Sequence, residues 1–276
     1  MYNNYFSGKI ALVTGGGSGI GRGLCKRLDA AGATVICTDI NITHAAETVA
    51  VLSDKAEVQL LDVTLENDVT SIVETIVKKH DRLDFIFNNA GIAISGELRD
   101  IPLADWKKVM DVNFYGMLNG SQAAYLAMLK QGSGQIVNIA SAAGLVDDLV
   151  LLAPYSVSKH AVVNYTHILR LEGKGLGIKA NVVCPGFINT SIGDNATDAN
   201  AKPGWHQKSK DMVANGVSIE AAADNILKGV AANKRTIVFP GQTRAINRFA
   251  SLFSGLFRRG MQKSIRDFRQ NYRINN

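Results

Sequence analysis

Short apolar runs alternate along this chain with segments that are long enough to form helices. The runs are rich in β-branched residues and are bounded by turn residues: KIALVT, TVICTD, VQLLDV, LDFIFN, GQIVNIA, IKANVVC and TIVFP. Their hydrophobicity is continuous rather than alternating, which is typical of strands buried on both faces of a parallel sheet. The intervening segments predict helices at 19–31, 66–80, 103–130, 154–172 and 218–233. The pattern therefore predicts an α/β fold: a doubly wound, seven-stranded parallel sheet with helices on both faces.

The positive charge of the chain is concentrated at its C-terminal end. Residues 242–276 carry eight arginine or lysine side chains and one aspartate, whereas the formal net charge of the whole chain is +6. The remainder is close to neutral, which is unlike a nucleic-acid-binding surface. With 276 residues, of which 46% are hydrophobic, the chain can bury a large core. We expect a single domain over residues 1–241 and a basic, amphipathic tail over residues 242–276.

The cysteines and histidines favour neither a disulfide framework nor a metal site. Cys25, Cys37 and Cys184 are odd in number and lie in apolar segments, which favours buried thiols in a reducing cytoplasm. The five histidines lack the spacing of metal ligands, so we expect no metal. No apolar run approaches the roughly 18 residues that span a bilayer, and the N-terminal MYNNYFSGK does not resemble an export signal. We therefore expect a cytoplasmic protein.

A glycine-rich turn, VTGGGSGIGRGLC, follows the first predicted strand. Gly15, Gly19 and Gly21 lie where the chain must turn tightly, approach a ligand and pack a helix against the sheet. The N-terminus of the following helix would present free amide groups and a positive dipole end to a pyrophosphate. Parallel sheets bind ligands at the carboxyl ends of their strands, so the turn predicts a Rossmann-type dinucleotide site.

Asp39 ends the second predicted strand and bears on the choice of cofactor. A carboxylate accepts hydrogen bonds from an adenosine ribose but repels a 2′-phosphate, and the following Ile40 and Asn41 supply no cation. This favours NAD over NADP. Two alternatives stay open: Asp39 could simply cap a turn, and Arg22 lies near enough to the glycine turn to reach a second phosphate.

Further short motifs follow in a characteristic order. TGGGSGIG at 14–21 matches a T-G-x-x-x-G-x-G cofactor motif, NNAG at 88–91 a fourth-strand motif, and YSVSK at 155–159 a Y-x-x-x-K motif. Asn113 in DVNFYG, Ser141 in IASAAG and the PG at 185–186 also match. Together these motifs resemble the single-domain short-chain dehydrogenase/reductase family over about residues 7–240, which implies an oxidoreductase that uses a nicotinamide cofactor.

The resemblance also implies where the cofactor binds. Asp62 and Val63 match the adenine-contacting pair that follows the third strand in the family. The segment after CPGFINT, at 189–217, is similar to the mobile substrate lid of the family. Phe187, Ile188 and Thr190 would meet the nicotinamide carboxamide. Trp205 and Met212 could close over the substrate. The implied cofactor-binding residues are Gly15, Gly17, Ser18, Gly19, Ile20, Gly21, Asp39, Ile40, Asp62, Val63, Asn89, Ala90, Gly91, Tyr155, Lys159, Pro185, Gly186, Ile188 and Thr190.

Tyr155 and Lys159 are the candidate acid–base pair. They are four residues apart and share one face of a helix, where an ammonium lowers the pKa of a phenol towards working pH. Tyr155 would take the proton of an alcohol while a hydride leaves carbon, and Ser141 would hydrogen-bond the substrate oxygen. The resemblance implies that Lys159 also holds the nicotinamide ribose and that Asn113 supports a proton-carrying water chain. The expected catalytic residues are Asn113, Ser141, Tyr155 and Lys159.

The segments beside the catalytic residues predict a mostly apolar substrate site. The flanking apolar residues are Ile92, Ala93, Leu145, Val146, Leu149, Leu151 and Phe187. They suggest a hydrophobic secondary alcohol or ketone, although many of them could instead belong to the core or to a subunit contact. The loop between Ser141 and Tyr155 is about one residue longer than is usual in the family and contains Asp147 and Asp148. We expect this loop to bulge and Ser141 to keep its place.

The tail has no counterpart in the family pattern. Ile246, Phe249, Phe253 and Leu256 recur at three- and four-residue steps, which indicates an amphipathic helix. Three interpretations stay open: packing on a partner subunit or on the body of its own chain, peripheral contact with an anionic membrane, and a cap near the active site. The resemblance implies a homodimer or homotetramer that pairs through the helices at 103–130 and 154–172. A non-enzymatic NAD-binding sensor and a membrane-recruited scaffold remain as alternative functions.

Overall fold

The structure is a computed structural model that describes residues 2–192 and 196–274. Within these residues the strands are β1 (Ile10–Thr14), β2 (Thr34–Asp39), β3 (Glu57–Leu60), β4 (Phe85–Asn88), β5 (Ile94–Ser95), β6 (Gly134–Ile139), β7 (Ile178–Pro185), β8 (Thr197–Asp198) and β9 (Thr236–Phe239). The α-helices are α1 (Asn3–Phe6), α2 (Gly19–Ala30), α3 (Ile42–Val49), α4 (Glu66–His80), α5 (Leu103–Met110), α6 (Gly116–Gln131), α7 (Ala153–Glu172), α8 (Pro203–Ala214), α9 (Ile219–Ala231), α10 (Gly241–Leu252) and α11 (Ser254–Asp267).

The main sheet has seven parallel strands in the order β3-β2-β1-β4-β6-β7-β9. Each strand corresponds to one of the apolar runs of the sequence, so the predicted doubly wound sheet is confirmed. The chain proceeds outwards from β1 in one direction and from β4 in the other. The order therefore reverses between these two neighbours, and their carboxyl ends open a crevice where such sheets bind ligands. β5 and β8 form a separate two-stranded parallel sheet.

Two apolar layers cover the sheet. On one face, α2 and α9 bury side chains such as Leu24 and Ile226 against β1 and β2. On the other face, α4 and α6 bury side chains such as Ile76 and Met128. Burial of these layers removes large apolar areas from water and holds the strand ends in fixed positions. The predicted catalytic and cofactor-binding residues lie at those strand ends and on the helices that follow them.

The segment predicted as one helix over 103–130 is interrupted in the structure. α5 and α6 are separated by a π-helical turn, Asp111–Tyr115, that contains the buried Asn113. The side-chain amide of Asn113 forms two hydrogen bonds with the backbone of Ile92, at 2.8 Å and 3.0 Å. We attribute the wider turn to these contacts, because such single-turn bulges aim a side chain away from the regular helical path and are frequent at functional sites.

Four helical features go beyond the sequence prediction. α3 follows β2, and α8 lies inside the segment predicted as a lid at 189–217, of which residues 193–195 lie outside the described residues. The tail forms two helices instead of one, since Phe253 leaves helical geometry with φ −121° and ψ 47°. A second π-helical turn, Phe268–Tyr272, follows α11. Residues 275–276 of the predicted tail are likewise outside the described part of the chain.

Candidate active site

The glycine turn between β1 and α2 is a cradle that side chains would fill. Gly15 and Gly19 adopt φ of 62° and 48°, in the left-handed region that favours glycine. A methyl group on Gly15 would lie 2.9 Å from the Cα of Ala90, and one on Gly21 would overlap the carbonyl oxygen of Gly15. The turn therefore packs closely on the end of β4, and α2 begins immediately behind it at Gly19. This arrangement fits a nicotinamide dinucleotide, because the helix N-terminus is open to a pyrophosphate.

Asp39 lies beside this turn and has a structural role there. One oxygen of its carboxylate accepts the amide of Gly17 at 3.0 Å, and the other accepts the amide of Asn41 at 2.9 Å. The interpretation as a turn cap is therefore present in the structure, and it is compatible with ribose binding because a carboxylate has further acceptor sites.

Arg22 is directed towards α3. Its guanidinium donates to the hydroxyl of Thr48 at 3.0 Å and to the carbonyl oxygen of Gly17, and it forms an ion pair with Glu47 at 3.1 Å. Arg22, the cation considered above as a partner for a second phosphate, is therefore already engaged by protein groups.

The NNAG segment is tied to the glycine turn by Thr14. The Thr14 hydroxyl accepts the amides of Asn89 at 3.0 Å and Ala90 at 3.2 Å, and the Asn89 side chain donates to the carbonyl oxygens of Thr14 and Gly15 at 3.0 Å each. These bonds fix the two central strand ends relative to one another, which places the predicted cofactor residues of both segments on one side of the crevice.

Sequence analysis missed a buried polar network beneath this segment. Asn88 donates to Asn138 at 2.8 Å and to Ser121 at 3.1 Å, and Asn138 donates to Thr166 at 3.0 Å. The network joins β4, β6, α6 and α7, the four elements that carry or flank the catalytic side chains. Hydrogen-bonded buried polar groups resist displacement, because an unmade bond leaves a desolvated group without a partner. The first asparagine of NNAG was the one available sequence signal.

Tyr155 and Lys159 lie in the first turns of α7, as the four-residue spacing predicted. The ammonium of Lys159 is 4% exposed, donates to the carbonyl oxygen of Ile139 at 2.9 Å and lies 5.6 Å from the centre of the Tyr155 ring. Burial lowers the pKa of Lys159 from 10.5 to about 8, with a smaller opposite effect from Cys184.

The pKa of Tyr155 differs from the sequence-based expectation. Burial raises it above the ordinary value of 10.0, and a hydrogen bond with Ser141 acts in the opposite direction. Lys159 is not among the groups that shift the pKa of Tyr155, and its Nζ is bound to the carbonyl oxygen of Ile139. The expectation that Lys159 by itself lowers the phenol pKa is therefore not met in this structure, whereas the proximity of Ser141 and Tyr155 is as expected.

Asn113 connects the remaining catalytic candidates. Besides its bonds to Ile92, its amide donates to the hydroxyl of Ser158 at 3.1 Å, and that hydroxyl donates to the carbonyl oxygen of Tyr155 at 2.7 Å. A methyl group on Gly91 would lie 3.2 Å from the side-chain oxygen of Asn113 and 3.4 Å from the Lys159 nitrogen. The four catalytic candidates are thus assembled around the carboxyl ends of β4 and β6.

The other predicted cofactor residues line the same edge of the sheet to differing degrees. Asp62 accepts the amide and hydroxyl of Thr64, and Val63 is buried with its carbonyl oxygen bound to Asn119 at 3.0 Å. Ile40 is largely exposed and Pro185 ends β7. Thr190 lies beside Gly19, where a methyl group would be 3.2 Å from its side chain. The side chain of Ile188 is buried in the core, so only its backbone is placed for a ligand.

The loop after β6 bulges as expected. Ser141 caps a short 3₁₀ turn, Ala142–Gly144, by accepting the amide of Ala143 at 3.1 Å. Asp148 and Leu151 adopt φ of 61° and 66°, which is unusual for residues other than glycine and turns the chain sharply. Both aspartates of the loop are exposed. Of the predicted apolar wall, Val146 and Leu151 are buried in the body, whereas Phe187 is mostly exposed.

The C-terminal segment docks on α8, a contact that no local sequence pattern indicated. The Phe268 ring packs edge-on against Trp205 with centroids 4.9 Å apart, and Tyr272 lies 5.5 Å from the same indole. The indole nitrogen donates to Ser95 at 3.1 Å. The amide of Lys202 donates to the carbonyl oxygen of Tyr272 at 2.7 Å. Trp205, predicted to close over substrate, is therefore held by the end of its own chain.

Ion pairs extend this contact along the rim of the crevice. The guanidinium of Arg273 bonds Asp100 through two nitrogens at 2.8 Å and 3.0 Å, and Arg269 bonds Glu97, whose pKa is lowered by that hydrogen bond. The tail also reaches the bulged loop, since Arg258 pairs with Asp148 at 2.7 Å. Packing of the tail on its own body, one of the interpretations left open by the sequence, is thus present at the distal end. The Arg258 contact places the tail against the loop that joins Ser141 to Tyr155.

Comparison with known proteins agrees with this geometry. The chain matches the family model described as short chain dehydrogenase over residues 9–201. It is 30% identical over 271 residues to SadH of Mycobacterium tuberculosis, covering 95% of this chain and 97% of that protein. It is 38% identical over 197 residues to 2,5-dichloro-2,5-cyclohexadiene-1,4-diol dehydrogenase of Sphingobium indicum, covering 71% of this chain and 78% of that enzyme. A short-chain dehydrogenase/reductase of Burkholderia phymatum, solved in complex with NAD, superimposes with a TM-score of 0.85 at 26% identity, covering 92% of this chain and 96% of that one.

The chain belongs to the short-chain dehydrogenase family. It is an oxidoreductase of that family with a Rossmann-type sheet, as the motifs indicated.

Proposed function

We propose that this protein is an NAD-dependent dehydrogenase/reductase that interconverts an apolar secondary alcohol and its ketone. The observation that carries the proposal is the convergence of Ser141, Tyr155, Lys159 and Asn113 beside the glycine turn. A sensor or scaffold would have no use for such a set of side chains. We assign residues 1–241 to the catalytic domain and 242–276 to an appended tail.

The proposed mechanism follows from the positions of these side chains. Ser141 hydrogen-bonds the substrate oxygen, and Tyr155 takes the substrate hydroxyl proton as a phenolate in oxidation and returns it as a phenol in reduction. Lys159, whose Nζ lies 5.6 Å from the centre of the Tyr155 ring, would hold the ribose of a bound nicotinamide cofactor. Asn113 binds the backbone of Ile92 and donates a hydrogen bond to Ser158 of α7. Ser158 in turn donates to the carbonyl oxygen of Tyr155, so these bonds orient the helix that carries Tyr155. A bound nicotinamide ring would supply the position that accepts or donates the hydride.

The acid–base role of Tyr155 is tested by Tyr155→Phe, which removes only the transferable proton. Turnover of apolar secondary alcohols with NAD, or of ketones with NADH, should fall at least about 100-fold, while binding of NADH measured by fluorescence should be unchanged. Tyr115→Phe, on an exposed tyrosine, is the matched control and should keep full activity. Activity of Tyr155→Phe within about tenfold of the parent would count against the assignment.

The proposed preference for NAD rests on Asp39 and on the engagement of Arg22 with Glu47 and Thr48. We expect kcat/KM to favour NAD over NADP by at least about tenfold, equivalent to about 1.4 kcal/mol. Asp39→Asn removes the charge and keeps a hydrogen-bond acceptor, so it should narrow the preference. Equal use of both cofactors by the unmodified protein would contradict the proposal.

The apolar substrate class is supported by the half-buried Ile92, Ala93, Leu145 and Leu149 around the catalytic side chains and by the exposed ring of Phe187. By its name, the similar dehydrogenase of Sphingobium indicum acts on an uncharged dichlorinated cyclohexadiene diol. A panel of aliphatic, cyclic and charged alcohols should give the highest kcat/KM for the uncharged members. A clear preference for charged alcohols would contradict this part of the proposal.

We also propose that the protein is a homodimer or homotetramer. The supporting surface lies on α6 and α7, which correspond to the helical segments expected to pair. These helices expose Leu126, Val157, Ile168 and Leu171. Light scattering at micromolar concentration should give at least twice the monomer mass, and a monomer mass would contradict the proposal. The three buried free cysteines support a reducing compartment such as the cytoplasm.

A further inference from the structure

We propose that the first part of the tail docks on the surface of an anionic lipid bilayer. The contact surface, called the tail face below, consists of apolar side chains around the break between α10 and α11. Each of them is between 41% and 76% exposed: Ile246, Phe249, Leu252, Phe253 and Leu256. The rings of Phe249 and Phe253 lie with centroids 5.4 Å apart. A contiguous group of large exposed apolar side chains of this kind marks an interaction site.

The tail face is not the side of the helices that packs on the body. In α10 the buried residues are Thr243 and Ala250, which lie on another side of the helix from Phe249 and Leu252. The apolar side chains of the tail face therefore remain exposed after the tail has docked on its own chain. The docking described at Phe268 leaves each of them at least 41% exposed.

Basic side chains adjoin the tail face and identify the partner. Arg259, Lys263 and Arg266 are spaced by four and three residues, so they share one exposed face of α11, and Leu256 lies on that face one turn earlier. Within residues 2–192 and 196–274, Arg259 and Arg266 form no ion pair with a carboxylate. The single acidic residue of the tail, Asp267, is bound to Lys208 at 3.0 Å.

This combination of apolar and basic side chains fits the boundary between headgroups and acyl chains of an acidic membrane. Apolar side chains can enter that boundary while the cations attract the negative lipid surface. A second copy of the chain is less suitable, because a two-fold contact would bring two rows of like charge together. In the described part of the chain, every helix is too short or too polar to span a bilayer. The contact would therefore be peripheral.

The distal end of the tail holds the tail face at a defined position. Phe268 is completely buried, Arg273 is bound to Asp100, and Arg258 is bound to Asp148 on the bulged loop. Because of these anchors, the tail face is attached to the body on both sides, through β9 before it and through these contacts after it. The proposal does not depend on the reaction proposed above, because binding to vesicles is measured without substrate or cofactor.

The test is flotation of the full chain with vesicles of phosphatidylcholine alone and with vesicles that also contain phosphatidylglycerol. We expect recovery with the acidic vesicles only, and weaker recovery as salt is raised. The double variant Leu252→Ser/Phe253→Ser should lose at least about tenfold in vesicle affinity, since it removes two of the most exposed apolar side chains. Val51→Ser/Leu60→Ser, which changes two equally exposed apolar residues far along the sheet, is the matched control and should bind like the parent.

A charge variant separates the electrostatic contribution of the basic side chains from the contribution of the apolar side chains. Arg259→Gln/Lys263→Gln/Arg266→Gln should reduce binding to acidic vesicles and abolish its salt dependence. Circular dichroism should confirm that all variants are folded. Recovery of the parent with neutral vesicles to the same extent, or unchanged binding of both tail variants, would overturn the proposal. A fall in oligomer mass of Leu252→Ser/Phe253→Ser without vesicles would also overturn it and would assign the tail face to contact between copies.

Discussion

Replacing Phe268 with alanine should release the end of the tail from helix α8. The ring of Phe268 is 0% exposed and packs edge-on against the indole of Trp205. Truncating a fully buried phenylalanine removes about 3–5 kcal/mol of packing free energy in well-packed protein interiors. The segment lies at the end of the chain and can open without separating any strand of the sheet. The loss should therefore appear as local opening instead of global unfolding.

The expected size of the effect follows from this range. A loss of about 3 kcal/mol raises the equilibrium constant for local opening by roughly 100-fold. Two amides report the opening directly, because their acceptors lie across the contact. The amide of Lys202 donates to Tyr272 at 2.7 Å, and the amide of Ile274 donates to Asn200 at 3.1 Å. Hydrogen exchange at these two amides should accelerate by about that factor, and exchange in β1 and β4 should not change.

Phe253→Ala is the matched control for this experiment. It removes the same side chain from the same tail at a site that is 56% exposed, where substitutions typically change stability by less than about 0.5 kcal/mol. Its exchange at Lys202 and Ile274 should equal that of the parent. Unchanged exchange at both amides in Phe268→Ala would refute the reasoning. An equal acceleration throughout the sheet would also refute it, since the tail would then be part of the global folding unit.

Three further predictions concern pH and the glycine turn. Lys159 has a folded-state pKa of about 8, below its unfolded value of 10.5, so the unfolded chain binds more protons than the folded chain between these pH values. The free energy of unfolding should therefore rise with pH from about 8 to about 10. Lys159→Met should abolish this rise in denaturant titrations. The pKa of Glu97 is lowered by Arg269, so the stabilisation that this pair provides is present above the unfolded pKa of about 4.3 and is lost as pH falls through the folded value. Tail amide exchange should accelerate below that pH, and an acid-insensitive tail would contradict the assignment. Gly21→Ala should abolish NADH binding or folding, because the added methyl group would overlap the carbonyl oxygen of Gly15. Gly241→Ala is the control and should be tolerated, since there is open space around Gly241. Normal NADH fluorescence of Gly21→Ala would show that the turn can relax.

The sequence by itself determined the sheet, the glycine turn and the spacing of the acid–base pair. These features depend on local patterns. Continuous apolar runs predict strands buried on both faces, and a separation of four residues places Tyr155 and Lys159 on one face of a helix in any fold. Gly15 and Gly19 occupy a turn whose backbone other residues rarely adopt. The family motifs add Asn113 and Ser141. In the structure, Asn113 is connected to Tyr155 through Ser158, and Ser141 lies within hydrogen-bonding reach of Tyr155.

The tertiary structure alone decided the features that depend on distant parts of the chain. Whether Lys159 lowers the pKa of Tyr155 depends on burial and on the carbonyl oxygen of Ile139, and neither can be read from the spacing of the pair. The docking of Phe268 on Trp205 joins residues more than sixty positions apart, and a helical pattern specifies which side chains share a face without specifying what covers them. For the same reason the periodicity of the tail predicted an apolar face, while only the packed chain shows that its distal end is covered and its first part is not.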